Sequence, residues 1–213
     1  MDAREFRTLR AGVEASGEVE DRRSRFIAQV RRVGSESEAD AFIAEVRARH
    51  HDARHNVPAW ILADGRERCS DDGEPQRTAG MPTLDVLRGA GLADVCSVVT
   101  RYFGGTLLGP GGLVRAYSAA TQAALTSAEE NGQLVEVTLV THVTVQIPYS
   151  AHARVRGIVA DAGGRVADAV FSEDVQVDCA FRSGDEETFV SAMDDFANGE
   201  RLCRVGEPRF AEF

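Results

Sequence analysis

The chain has 213 residues, 43% hydrophobic and 27% charged, with a formal net charge of −10, a composition that excludes a disordered polar chain and a membrane-embedded one. No run approaches about 18 apolar residues, and the polar start Met1-Asp-Ala-Arg-Glu5 lacks the apolar segment of a secretory leader, so a cytoplasmic setting is expected. All 24 basic side chains are arginine, and the missing lysine excludes a P-loop, Schiff-base chemistry and a lysine general base.

Leu9–Val19 and Arg25–Val33 alternate apolar and polar residues with a period near two and read as paired strands. Ser35 is placed to cap a helix that buries Ala39, Phe42, Ile43 and Val46, with acids in its first turn and Arg47 and Arg49 in its last. His50–Pro58 breaks the pattern, and Ala59–Ala63 resumes as a short strand. Pro82 opens a second helix running to about Gly89, Val95–Thr100 reads as a buried strand, and Leu113–Glu130 as a long helix with a small-residue face stopped at Asn131-Gly132. From Val135 to Ile147 the alternation is strict; Ser150 then offers a cap for a helix using Val155, Ile158, Val159 and Ala162, closed by Gly163-Gly164. Val166–Phe171 and Val175–Phe181 follow as strands, then a helix with Phe189, Met193 and Phe196 ended by Gly199, and a last strand near Leu202–Val205. The order strand, helix, strand, strand, helix, strand is ferredoxin-like βαββαβ. The reading is therefore two α+β domains, residues 1–134 and 135–213.

The charges are uneven. Residues 1–136 hold 17 arginines against 21 acids and residues 137–213 hold 7 against 13, yet Arg22, Arg23, Arg25, Arg31 and Arg32 form one basic island and Arg47, Arg49 and Arg54 another. A basic groove on an acidic body is thus open to the chain. Cys69, Cys96, Cys179 and Cys203 are scattered without metal-ligand spacing, and Cys96 and Cys179 read as buried thiols.

Two dense runs carry the functional signal: Ser70-Asp-Asp-Gly-Glu-Pro-Gln-Arg-Thr-Ala-Gly80, and Thr100-Arg-Tyr-Phe-Gly-Gly-Thr-Leu-Leu-Gly-Pro-Gly-Gly-Leu-Val-Arg-Ala-Tyr117. Five glycines in nine positions, Gly104, Gly105, Gly109, Gly111 and Gly112, are expected where backbone turns tightly or approaches something closely. Either a tight connection or an anion nest at a helix N-terminus answers to that pattern; Arg101, Tyr102 and Arg115 add guanidinium and phenol groups suited to phosphate contact and base stacking. Asp71, Asp72 and Glu74 around Gly73 read either as a turn of solvated acids, which Pro75 favours, or as ligands for Mg²⁺. His51-Asp-Ala-Arg-His55 has the histidine spacing of a zinc protease without its glutamate and with Pro58 close behind, so His55 and Asn56 are taken as hydrogen-bonding loop residues. No nucleophile elbow or dinucleotide fingerprint is present, and no catalytic residue, metal or cofactor is assigned.

The same runs, with Ser24-Arg-Phe-Ile-Ala28 and Asp52-Ala-Arg-His-Asn56 before them, resemble the YigZ/IMPACT family over about residues 16–130, with the remainder similar to its smaller C-terminal domain. The resemblance implies an N-terminal domain similar to the second domain of ribosomal protein S5, a ferredoxin-like C-terminal domain, and kinship with eukaryotic regulators of translation initiation. The expectation is a non-catalytic cytoplasmic protein that binds RNA or a ribosome-associated partner through the two runs, Tyr117 included. The rivals are a metal-dependent enzyme acting on a phosphorylated or nucleotide substrate and a protein-binding adaptor.

Overall fold

The computed structural model describes residues 5–197 and 200–213; Gly199, read as the terminator of the last helix, lies outside them. Phe6–Val135 pack as one compact unit and Glu136–Phe213 as another. Both are α+β, the first of the ribosomal protein S5 domain 2 type and the second ferredoxin-like.

The first unit runs β1 (Phe6–Leu9), β2 (Glu14–Asp21), β3 (Ser24–Arg32), α1 (Glu36–Arg49), β4 (His55–Ile61), β5 (Glu67–Cys69), α2 (Gly80–Gly89), β6 (Val95–Tyr102) and α3 (Gly109–Glu130). Its antiparallel sheet has the order β2-β3-β6-β4-β5. Because side chains alternate along a strand, one face carries Phe26, Ala28, Val57, Ala59 and Val99 against α2 and α3. The other carries Trp60, Cys96 and Val98 against Ala39, Phe42, Ile43 and Val46 of α1. Contact with α3 is so close at Gly17 that a β-carbon there would lie 2.2 Å from the Ala124 nitrogen.

Several expectations change here. The single strand read over Leu9–Val19 is two, divided at Gly12, whose φ of 77° turns the chain. β4 begins at His55 rather than Ala59: the Pro58 carbonyl accepts from the Ser70 N–H past the end of β5, so the proline nitrogen faces a side with no ladder partner to lose. α2 begins at Gly80 rather than Pro82, and α3 at Gly109 rather than Leu113. α1 keeps its Ser35 cap, the hydroxyl accepting from the Glu38 N–H at 3.2 Å.

In the second unit β7 (Leu134–Ile147) leads through a 3-10 turn (Tyr149–Ala151) to α4 (His152–Asp161), β8 (Arg165–Phe171), β9 (Val175–Arg182), α5 (Glu186–Phe196), β10 (Cys203–Val205) and β11 (Arg209–Glu212). Ser150 lies within the turn and caps nothing. The strand order β10-β7-β9-β8, antiparallel throughout, is that of a ferredoxin-like sheet. β11, which the alternation did not reveal, extends the β10 edge of β7. The core is Val143, Val145, Ile147, Val155, Val177, Phe181, Phe189 and Met193. Cys96 and Cys179 are free and buried, and burial pushes the Cys179 thiol up to about 12, far from a thiolate nucleophile.

Candidate functional site: a cleft at the start of α3

Strand periodicity decides what meets what. His55 of β4 and Arg101 of β6 are cross-strand partners on the face toward α3, while Asn56 and Thr100, one residue along, pair toward α1. On the α3 face a cleft of about 300 Å³ opens between the end of β6, the glycine-rich loop and the first turn of α3. Its floor is ionic: Glu74 Oε1 accepts from Arg101 Nη1 at 2.6 Å and from the Tyr117 hydroxyl at 2.9 Å. The Glu74 and Arg101 side chains are only 4% and 8% exposed. The Arg101 guanidinium carbon lies 5.4 Å from the Phe26 ring centre and 5.5 Å from that of Phe103, and its Nε is buried without a hydrogen-bond partner among the described residues. Burial, reinforced by the Glu74 carboxylate, raises the Tyr117 phenol above its ordinary range, so it remains a donor. His55 Nδ1 lies 2.7 Å from the Asp72 carbonyl, which only accepts, so Nδ1 carries the proton and Nε2 turns to Glu74 at 3.9 Å.

The acids of the Ser70–Gly80 loop diverge. Asp71 accepts from the backbone N–H groups of Arg77 (2.7 Å), Ala79 (3.0 Å) and Gly80 (2.9 Å), capping α2 from a distance. Asp72 accepts from the Asn56 N–H and from Arg47 Nη2. Glu74 alone enters the cleft floor. Among the described residues no group of three or more His, Cys, Asp or Glu is placed to hold a metal ion. Asn56 is a buried brace, accepting from the Thr100 hydroxyl at 2.7 Å, and both it and His55 belong to β4 rather than to a loop.

The glycine run divides by role. Gly104 is a packing glycine: a β-carbon there would lie 2.1 Å from the Arg23 carbonyl carbon. Gly105 (φ 87°) turns the loop. Gly109, Gly111 and Gly112 are not loop but the first turn of α3, where Leu108 at the N-cap supplies no side-chain acceptor and no acid follows. The Gly109 and Gly111 amides precede the first intrahelical acceptor and are the donors this helix start leaves open, whereas Gly112 is far enough in to bond back to the Leu108 carbonyl. Arg101 is not the free guanidinium the sequence suggested, because Glu74 already holds it. Arg115 is exposed, with no ion pair or hydrogen bond among the described residues, and lies beside Gly111. Tyr102 points away from the cleft, its hydroxyl donating to Asp52 and 3.0 Å from His50 Nδ1, since neighbouring strand residues face opposite sides.

Sequence reasoning missed the cleft's walls. Phe103, Leu107, Leu108 and Pro110 line it, and Arg54 stands at its rim. The available signal was Phe103 and Leu107 themselves, large apolar residues in a polar loop, which the fold leaves 44% and 80% exposed. Arg54 is exposed and has no partner among the described residues.

The Impact N-terminal domain model matches residues 22–125, and a domain of unknown function, DUF1949, matches residues 145–200. IMPACT family member YvyE of Bacillus subtilis is 33% identical over 192 residues, covering 89% of this chain and 87% of that protein. IMPACT family member YigZ of Escherichia coli is 34% identical over 184 residues, 84% and 88% of the two chains. A crystal structure described as that of a hypothetical protein superposes with a TM-score of 0.58 at 31% identity, covering 94% of this chain and 96% of that one. With matches spanning both units and most of its length, the chain belongs to the IMPACT family.

Proposed function

We propose that this IMPACT-family protein is a non-catalytic, translation-associated protein of the cytoplasm that binds single-stranded RNA in the cleft at the start of α3. The observation that carries the reading is the combination at one cleft of the uncapped start of α3, Arg54, which has no partner among the described residues, and an exposed aromatic and aliphatic wall, with the exposed Arg115 further along α3 beside Gly111. Amides at a helix start and guanidinium forks suit phosphate oxygens, and the exposed Phe103 face suits a stacked base. The floor charges do not compete, because Glu74 is neutralised by Arg101 within the protein. A metal-dependent phosphotransfer reading loses its support where the loop acids point in three directions. The kinship with regulators of translation implied by the family is what links such binding to translation.

The test is the affinity for a short labelled single-stranded RNA at low salt. Phe103→Ala is expected to cost about 1 kcal/mol by loss of a stacking face, and Arg54→Ala to weaken binding and its salt dependence together. Absence of binding at low salt, or affinities untouched by both changes, sinks the reading.

A further inference from the structure

We infer that the β2–β3 hairpin tip, Arg22-Arg23, is a second contact of the same surface, gripping the phosphate backbone of the RNA that enters the cleft. This rests on the RNA reading above and extends it beyond the cleft.

The first observation is conformational. The ladder between β2 and β3 closes at Asp21 and Ser24, leaving a two-residue turn in which Arg22 has φ 49° and Arg23 φ 65°. Two successive positive φ values are the geometry of a turn that favours Asn-Gly, because a β-carbon crowds the following carbonyl. Arginine has that β-carbon and no short polar group to compensate, so the local backbone is less stable than it needs to be. Strain of this kind, once observed, points toward use of the side chains.

The second observation is position. The Gly104 N–H donates to the Ser24 hydroxyl at 3.1 Å, and the absent β-carbon of Gly104 lets the loop rest directly on the Arg23 backbone. Arg22 Nη1 donates to the Leu107 carbonyl at 3.3 Å. Leu107 and its neighbour Phe103 are cleft walls. The tip and the apolar wall therefore form one surface.

The third is charge. The other arginines of the two basic islands are largely consumed: Arg25 by Glu18, Arg31 by Glu14 and Glu45, Arg47 by Asp72, and Arg49 by Glu14. Arg22 and Arg23 are exposed and have no carboxylate partner among the described residues. They flank the cleft wall on one side as Arg54 flanks it on another, which suits a chain with repeated phosphates and bases to stack. An acidic peptide supplies the charge without the stacking.

The experiment uses the full chain, labelled oligouridylate, and the variants Arg22→Asn/Arg23→Gly, Arg22→Gln/Arg23→Gln and Arg54→Ala. The Asn-Gly variant is expected to unfold at a higher temperature than the natural chain yet bind more weakly. Its plot of log affinity against log salt should be shallower by about 0.7 for each phosphate that the arginines no longer neutralise. The double-glutamine variant should show the same fall in affinity without the gain in unfolding temperature. If the Asn-Gly variant binds with unchanged affinity and slope while Arg54→Ala still weakens binding, the hairpin inference is overturned and the cleft reading stands. If the natural chain binds no RNA at low salt, both fall. Polyglutamate that displaces the RNA at equal charge concentration overturns the choice of RNA.

Discussion

A single carboxylate oxygen of Glu74 holds together the floor of the cleft, receiving Arg101 and Tyr117 at once. Removing one partner of a buried pair leaves the other charge desolvated, so Arg101→Ala is expected to lower stability by about 3 kcal/mol. Glu74→Leu with Arg101→Met should recover much of that stability, since both charges leave together. Denaturant unfolding of the two variants gives the comparison, and a double variant no better than Arg101→Ala contradicts the assignment. Residue by residue, the motif positions were legible but their roles were not. Arg101 looked like a ligand-binding group because nothing in the sequence says that Glu74, 27 positions earlier, folds onto it. Tyr102 was placed beside Arg101 by adjacency, and the period-two geometry of β6 separates them.

Among elements, α1 was readable because its signals are local: a serine cap, acids in the first turn and arginines in the last. The start of α2 was not, because its cap is Asp71, eight and nine residues before the amides it receives. Asp71→Ala is therefore expected to cost about 2 kcal/mol while leaving RNA affinity and its response to Mg²⁺ unchanged. Disappearance of a magnesium-dependent activity in that variant would restore the enzyme reading. The packing of β2 against α1 carries a pH-dependent contribution. Burial pushes the Glu14 carboxyl up, but hydrogen bonds from Arg49 and Arg31, with Arg49's charge and Gln29, outweigh it and hold the group below the ordinary value of 4.5. A carboxyl depressed on folding stabilises the fold above its unfolded pKa, and that contribution fades as pH falls through the folded value. Glu14→Gln should thus be less stable than the natural chain near neutrality and converge on it as the pH falls through the folded value. Parallel stability curves across the acid limb refute this. β5 and β11 escaped notice for a related reason, each being three or four residues defined by its partner rather than by its own pattern.

At the scale of the whole molecule both halves are acidic, with a net charge of −10, so any RNA affinity must come from one local surface. The two-domain α+β organisation was legible from periodicity and motif order; the cleft was not, because it exists only where β4, β6 and α3 meet. A footprint of about three phosphates gives a log–log salt slope near −2 for single-stranded RNA, far shallower than that of a basic protein coating nucleic acid. Photo-crosslinking of 4-thiouridine RNA to the full chain, with the attached peptides mapped by mass spectrometry, addresses the central claim most directly. Crosslinks at Phe103 and the adjoining loop to Leu108 are predicted; crosslinks confined to Glu136–Phe213, or none at all, would contradict it.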